Sequence, residues 1–306
     1  MPLYRSMFED VKGVAVRVLL GVEFIEDTLL PPFTSKLLKS LLLKAECLEP
    51  YRSLYIKHRS FRPVTLRVLR TESGRRLYRV EGGGRVLRAR RGEVLLGEVD
   101  AIYKGPDPFN LLAKCSREEV DIGFTRVAVW LRGAEVYTLS DLGLRETGVY
   151  RLRIHTPLLI TTKIMAPRTA KGSKLGRLLR STEEAYRLLP TPGYILAQAM
   201  RQWVAMVRGE EADLSSAVYS IGRLGDLLVA ELDYRLRPLT VVYGKDDKGV
   251  RRVRGVTGYL ILRALNKSIV TAMSKLLAFS SLIGLGKSRS IGFGEVEAEP
   301  LEAGNR

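Results

Sequence analysis

The chain has 306 residues, 46% of them hydrophobic and 27% charged, which fits a folded protein of two ordinary-sized domains and excludes a disordered one. Its 50 lysines and arginines against 33 aspartates and glutamates leave a net charge of +17, which favours a polyanionic partner, foremost nucleic acid. No run of about 18 apolar residues occurs, and the opening "MPLYRSMFEDVKG" lacks a signal-peptide apolar centre, so a cytoplasmic protein without membrane contact is expected.

Cys47 and Cys115 stand in no metal-ligand spacing and the chain has two histidines, so neither a metal site nor a cofactor is expected. Asparagine and glutamine are scarce: Asn110, Asn266, Asn305, Gln198 and Gln202 are the full set, a composition that hints at a thermophilic source.

"GVAVRVLLGVEFIE" (13–26) reads as a β-branched strand. "TSKLLKSLLLKAECL" (34–48) then switches to helical period, with Leu37, Leu38, Leu41, Leu42 and Ala45 as its buried stripe and Lys36, Lys39 and Lys44 off it. "PYRSLYIKHRSFRP" (50–63) follows as a connector. "VTLRVLR", "RRLYRV", "GRVLRARRG" and "EVLLGEV" are short strands, "DPFNLLAKCSREE" (107–119) a helix, and "DIGFTRVAVWLRGAEVYTL" (121–139) long strand material. The order is β-α-β-β-α-β with elaborations, a ferredoxin-like pattern.

A second half starts near Arg145, dividing the chain into residues 1–144 and 145–306. "GVYRLRIHTPLLITT" (148–162) is its first strand and "PRTAKGSKLGRLLR" (167–180) a cationic loop. "GYILAQAMRQWVAMV" (193–207) is helical, with Leu196, Met200, Trp203, Val204 and Val207 on one side. "LTVVYG" and "RVRGVTGYLILRAL" are paired strands joined by "KDDKG", "KSIVTAMSKLLAFSSLI" (267–283) is the last helix and "SIGFGEVEAE" the last strand. The order repeats β-α-β-β-α-β, so the fold class is α+β with two tandem ferredoxin-like, RRM-like domains.

"IGLGKSRSIGFGEVE" (283–297) gathers four glycines and two cations between the last helix and strand. A P-loop is excluded: "GKS" is present at Gly286, but the earlier glycine it needs falls on Ser281, and this loop leaves a helix to enter a strand. A helix cap with a glycine-kinked strand accounts for Gly284 or Gly286 and less readily for Gly292 and Gly294 flanking Phe293. A backbone lying against RNA fits the whole segment, its N–H groups forming an anion nest with Lys287 and Arg289 as a cationic rim.

This segment resembles the signature loop of the RAMP superfamily of CRISPR-associated proteins. Together with "LPPFTSKLLKSLLL", "HTPLLITT" and "VRGVTGYLILRAL", it resembles the endoribonucleases that cut precursor CRISPR RNA (crRNA) within its repeats. The resemblance covers nearly the whole chain and implies tandem ferredoxin-like domains with an RNA groove between them. It also implies metal-independent chemistry, in which a ribose 2′-hydroxyl attacks the adjacent phosphate to leave 2′,3′-cyclic phosphate and 5′-hydroxyl ends.

Many relatives carry a catalytic histidine just after the first helix, where this chain has His58 between Lys57 and Arg59. His58 is therefore the expected proton-transfer residue, with Lys57 the substitute used by relatives that lack the histidine. Tyr55 is expected to orient the substrate, and Arg62 to neutralise phosphate charge. Expected RNA contacts are Gly284, Gly286, Lys287, Arg289, Gly292 and Gly294 in the loop, Lys36 and Lys39 on the first helix, Lys171 and Lys174, and Arg252 on a hairpin arm. His155, alternating on a strand, reads as structural.

The expected partner is CRISPR repeat RNA, with effector-complex subunits and a second copy of the chain as further candidates. Two competitors stand beside the enzyme: a non-catalytic RAMP subunit holding crRNA in an effector complex, and a general RNA-binding module, which lacks the aromatic run an RRM surface needs.

Overall fold

A computed structural model describes residues 7–57, 61–83, 86–105, 116–166, 172–209, 214–247 and 249–302. Strand β1 (Val14–Phe24) turns Val16, Val18, Leu20, Val22 and Phe24 to one face by its two-residue period. That face packs on helix α1 (Ser35–Lys44), whose Leu37, Leu38, Leu41 and Leu42 are fully buried at helical spacing while Lys36 and Lys39 stay exposed.

The first half continues through β2 (Thr28–Leu29), helix α2 (Glu49–Lys57), β3 (Val64–Leu66), β4 (Arg88–Ala89), β5 (Val94–Tyr103), β6 (Glu118–Asp121) and β7 (Arg126–Thr138). Its main sheet runs β3-β5-β1-β7-β6 with antiparallel neighbours. Without the edge strand β6, that is the ferredoxin-like order.

The second half comprises β8 (Val149–Leu158), α3 (Lys174–Ser181), α4 (Pro192–Trp203) with a π-helical turn to Arg208, α5 (Leu214–Leu228), β9 (Val229–Asp246), β10 (Gly249–Ala264), α6 (Lys267–Ile283) and β11 (Val296–Pro300). Its sheet order, β11-β8-β10-β9, is again ferredoxin-like. The α+β class with tandem ferredoxin-like domains therefore holds. Among the described residues no helix is long and apolar enough to cross a membrane.

Local departures have physical reasons. The expected connector after α1 is helical through Lys57: Pro50 suits a first helical turn, and Tyr51 and Tyr55, four apart, both enter the core. The expected loop at 167–180 is helical from Lys174, where the Ser173 side chain accepts from the Gly176 N–H as an N-cap; residues 167–171 lie outside the described ones. Most of the helix expected at 107–119 also lies outside them, and its last residues, Glu118 and Glu119, belong to β6.

The halves are stitched along one seam. Phe293 stacks on Phe33 at 4.4 Å between ring centroids and meets Tyr243 edge-on. The last carbonyls of α6, which no intrahelical N–H can reach, are capped from the first half: Arg17 and Arg67 donate to Ser281, Arg67 to Leu282, and Thr65 to Ile283. Beneath them, buried Arg67 pairs with Glu98 and Asp100 of its own half and with Glu295 of the other, and Arg76 reaches Glu295 at 2.6 Å. Arg79 to Glu81 also bond to β9, through Glu81 N–H to the Thr240 carbonyl and Val242 N–H to the Arg79 carbonyl.

Candidate active site and RNA-binding surface

The glycine loop between α6 and β11 closes one end of the seam. Gly284 (φ +76) ends α6, and Gly286, Gly292 and Gly294 also have positive φ. A Cβ on Gly294 would fall 1.7 Å from the Leu285 carbonyl oxygen, and one on Gly292 would meet Ser35 at 2.8 Å. The glycines thus serve contacts within the protein.

The same holds for much of the loop's backbone, which removes several N–H groups from the expected anion nest. The N–H groups of Gly286, Lys287, Gly292, Phe293 and Gly294 donate to Gln202 Oε1 and to the carbonyls of Leu159, Arg289, Ser288 and Pro157. These five are engaged by protein acceptors; the loop also presents the side chains of Lys287, Ser288, Arg289 and Ser290.

Those side chains line a cavity of about 250 Å³ with Phe61, Arg62, Gln198, Arg201, Gln202, Gly286, Lys287, Ser288, Arg289 and Ser290 on its walls. Three elements supply them: the segment entering β3, the middle of α4, and the glycine loop. Four of the ten are cations and none is a carboxylate.

Arg289 departs from the expected exposed rim, being only 5% exposed. Its guanidinium donates to Thr65 Oγ1 at 2.6 Å, to the Arg62 carbonyl and towards Met206 Sδ, all neutral acceptors. Burial pushes its pKa down to about 9. Burial likewise lowers Arg201, whose guanidinium lies 5.1 Å from the Phe61 ring centroid. Lys287 is exposed and pairs with Glu184 at 2.5 Å. Phe61 holds φ +41, rare for a bulky residue and characteristic of functional segments.

Of the expected catalytic set, Arg62 lines the cavity and stacks on the buried Tyr55 ring at 4.4 Å. Burial raises the Tyr55 hydroxyl's pKa, with Arg62 opposing, so it stays protonated at neutral pH. Lys57 is exposed at the end of α2. His58 lies outside the described residues, three positions before Phe61. His155 sits on β8 against Glu297 at 3.0 Å, with its backbone bonded to Glu295 and Tyr78.

Lys36 and Arg252 line a second groove of about 520 Å³, with Pro32, Arg79, Glu81, Gly82, Val242, Gly244 and Val250. Partial desolvation of the exposed Lys36 by the groove wall, then Arg251 and Lys39, lowers its pKa, and Arg252 pairs with Glu81 at 2.6 Å. Lys39 is exposed one helical turn on, Lys174 is exposed on α3, and Lys171 lies outside the described residues.

Sequence reasoning missed Gln198, Arg201 and Gln202. The signal was present: three polar residues at i, i+3 and i+4 of an otherwise apolar helix form a polar stripe. Among the described residues, no group of three or more His, Cys, Asp or Glu is placed to hold a metal ion.

A double ferredoxin-like fold with a glycine loop over a cationic cavity suits a protein that handles a polyanion such as RNA. Residues 16–137 match the Cas6 N-terminal domain family, and residues 152–296 match the family of the CRISPR-associated endoribonuclease Cas6. CRISPR-associated endoribonuclease Cas6 1 of Saccharolobus solfataricus is 24% identical over 90% of this chain and 93% of its own length. Its companion Cas6 2, from the same organism, is also 24% identical, over 90% and 92%. The solved structure of Thermus thermophilus Cas6 shares the fold, with a TM-score of 0.58 at 17% identity over 94% of this chain and 98% of that one.

The chain belongs to the Cas6 family of CRISPR-associated endoribonucleases, which cut precursor crRNA within its repeats. A non-catalytic effector subunit is accordingly disfavoured.

Proposed function

We propose that the interdomain cavity seats the scissile phosphate of the repeat and that cleavage there is metal-independent. The ribose 2′-oxygen forms a bond to phosphorus, the bond from phosphorus to the 5′-oxygen breaks, and the products carry 2′,3′-cyclic phosphate and 5′-hydroxyl ends. One proton leaves the 2′-hydroxyl and one is delivered to the departing 5′-oxygen. His58 carries proton transfer, since its ordinary pKa near 6.5 suits either step, and Lys57 is its substitute. Arg62, Arg201, Lys287 and Arg289 stabilise the extra negative charge of the phosphorane.

The observation that carries this reading is the gathering of four cations and no carboxylate on a wall that includes Phe61 and Arg62, which follow His58 in the sequence. Among them Arg289 is buried against neutral acceptors, and a buried charge so placed favours an anionic ligand. Lys36, Lys39 and Arg252 around the second groove, with Lys174 on α3 and Lys171 three positions before it in the sequence, track the RNA backbone away from the cut, with Gly284, Gly292 and Gly294 shaping the loop. The domains divide between Leu144 and Arg145, and the protein acts in the cytoplasm. Effector-complex subunits receive the product RNA. A homodimer is the assembly to seek by sedimentation with and without RNA.

The test is cleavage of repeat RNA in EDTA with analysis of the product ends. Cyclic phosphate and 5′-hydroxyl ends are expected, with no cleavage when the scissile sugar is 2′-deoxy. His58→Ala should cut about 10²-fold more slowly with affinity nearly intact. Strict dependence on a divalent metal, or cleavage of the deoxy substrate, defeats the mechanism; a dead Lys57→Ala beside an active His58→Ala moves the chemistry to the lysine.

A further inference from the structure

The chain's two glutamines, Gln198 and Gln202, lie one helical turn apart on α4, 4% and 2% exposed, and both line the cationic cavity. Hydrogen bonding determines the orientation of each amide. Gln202 Nε2 donates to the Gly284 carbonyl at 3.1 Å, and its Oε1 accepts from the Gly286 N–H at 3.0 Å. Turning this amide over would set a carbonyl against a carbonyl and an N–H against an N–H, so Gln202 has one orientation.

Gln198 inherits its orientation from that. Its Nε2 donates to Gln202 Oε1 at 3.1 Å, and the reversed amide would bring two carbonyl oxygens together. Gln198 Oε1 is therefore the atom left over: an acceptor with no partner among the described residues and under 1 Å² of its own surface accessible, which a donor seated in the cavity reaches through a small shift of the surrounding side chains. Leaving such an acceptor unpaired costs about 1–3 kcal/mol. The other polar side chains on the cavity wall are donors or can act as donors: Arg62, Arg201, Lys287, Arg289, Ser288 and Ser290. A ligand that satisfies all of them carries an anion and, close to it, a hydrogen-bond donor. A bare phosphate supplies only the first.

We propose that Gln198 is a specificity-determining residue whose Oε1 accepts a hydrogen bond from the repeat nucleotide seated in the cavity. This rests on the cavity being the seat of the RNA. Two groups of a ribonucleotide present the required chemistry beside a phosphate: the 2′-hydroxyl of the sugar and the exocyclic amine of the base. The first would make Gln198 a sensor of RNA against DNA, the second a reader of base identity.

The experiment measures binding of repeat RNA, before appreciable cleavage, to the wild type and to Gln198→Met. The RNAs carry one 2′-deoxy sugar at a time through the repeat and, separately, one base at a time lacking its exocyclic amine. The wild type should lose about five- to ten-fold in affinity on one of these changes, and the series in which it appears identifies the donor. Gln198→Met should show the same loss on the intact RNA and no further loss on that change. Without RNA its melting temperature should be equal to or above that of the wild type, because an unsatisfied buried acceptor has been removed.

A Gln198 that merely supports the fold gives a different pattern: a lowered melting temperature and an undiminished response to every RNA change. That result overturns the proposal, as does a wild type indifferent to all the changes, which needs no variant to fold. Gln198→Leu serves if the methionine variant is not isolated. Cleavage in EDTA with cyclic phosphate ends is a separate readout, so the reading of the cavity as the active site can stand while this assignment falls.

Discussion

Buried Arg289 and half-buried His155 are two basic residues with opposite settings. Arg289 has neutral partners and faces the cavity, a setting that favours an anionic ligand. His155 lies against Glu297, yet burial and the nearby Arg76 outweigh that carboxylate and lower its pKa. The folded protein thus favours neutral His155. As pH falls through the unfolded value of about 6.5 the unfolded chain binds the proton first, and stability is lost with acid. Denaturant titrations of the RNA-free protein at pH 7.5 and 5.5, about one unit either side of that value, should show a smaller drop for His155→Gln than for the wild type. An equal drop would remove His155 as a source of acid sensitivity.

At the scale of elements, the glycine loop is a tight wedge whose glycines answer to the protein's own backbone. Gly294→Ala must place a Cβ 1.7 Å from the Leu285 carbonyl oxygen at φ +63. It should cost at least about 2 kcal/mol of stability by denaturant midpoint. Gly133→Ala, with open space around its added Cβ, should stay within about 0.5 kcal/mol. A stable Gly294→Ala would mean that the loop relaxes readily and that its glycines are held for the RNA.

Helix α6 was legible in the sequence at the residues it occupies, because a long amphipathic run ends in glycine. Helix α2 was not, since basic residues around Tyr51 and Tyr55 mask a stripe one residue wide. Helix α5 escaped too: its Gly222 and Gly225, which suit close packing near α4, lower helix propensity. The loop's cations could be read from its motif. Gln198 and Arg201 could not be assigned to the site, because their partners arrive only when the glycine loop packs against α4.

Across the whole molecule, the domains meet through charge as well as aromatic packing. Arg67 holds Glu98, Asp100 and Glu295 together at the seam while capping α6, and those carboxylates hold its pKa above the ordinary arginine value despite burial. Arg67→Met leaves buried carboxylates short of a cation and should destabilise the protein by about 3–5 kcal/mol in a denaturant titration. A loss below about 1 kcal/mol would mean that Arg17, Arg70 and Arg76 redistribute to replace it.

The proposed site of cleavage lies at the same seam, and Arg201 tests that location best. It comes from the second domain, touches the Phe61 ring of the first, and was found through the cavity rather than through a motif. The decisive measurement is the single-turnover cleavage rate of repeat RNA by Arg201→Ala, with protein saturating and its fold verified by melting temperature. Cutting in the interdomain cavity predicts a rate lowered by about 10²-fold or more, with a much smaller change in affinity. A well-folded Arg201→Ala that cuts at the wild-type rate would place the reaction elsewhere on the protein.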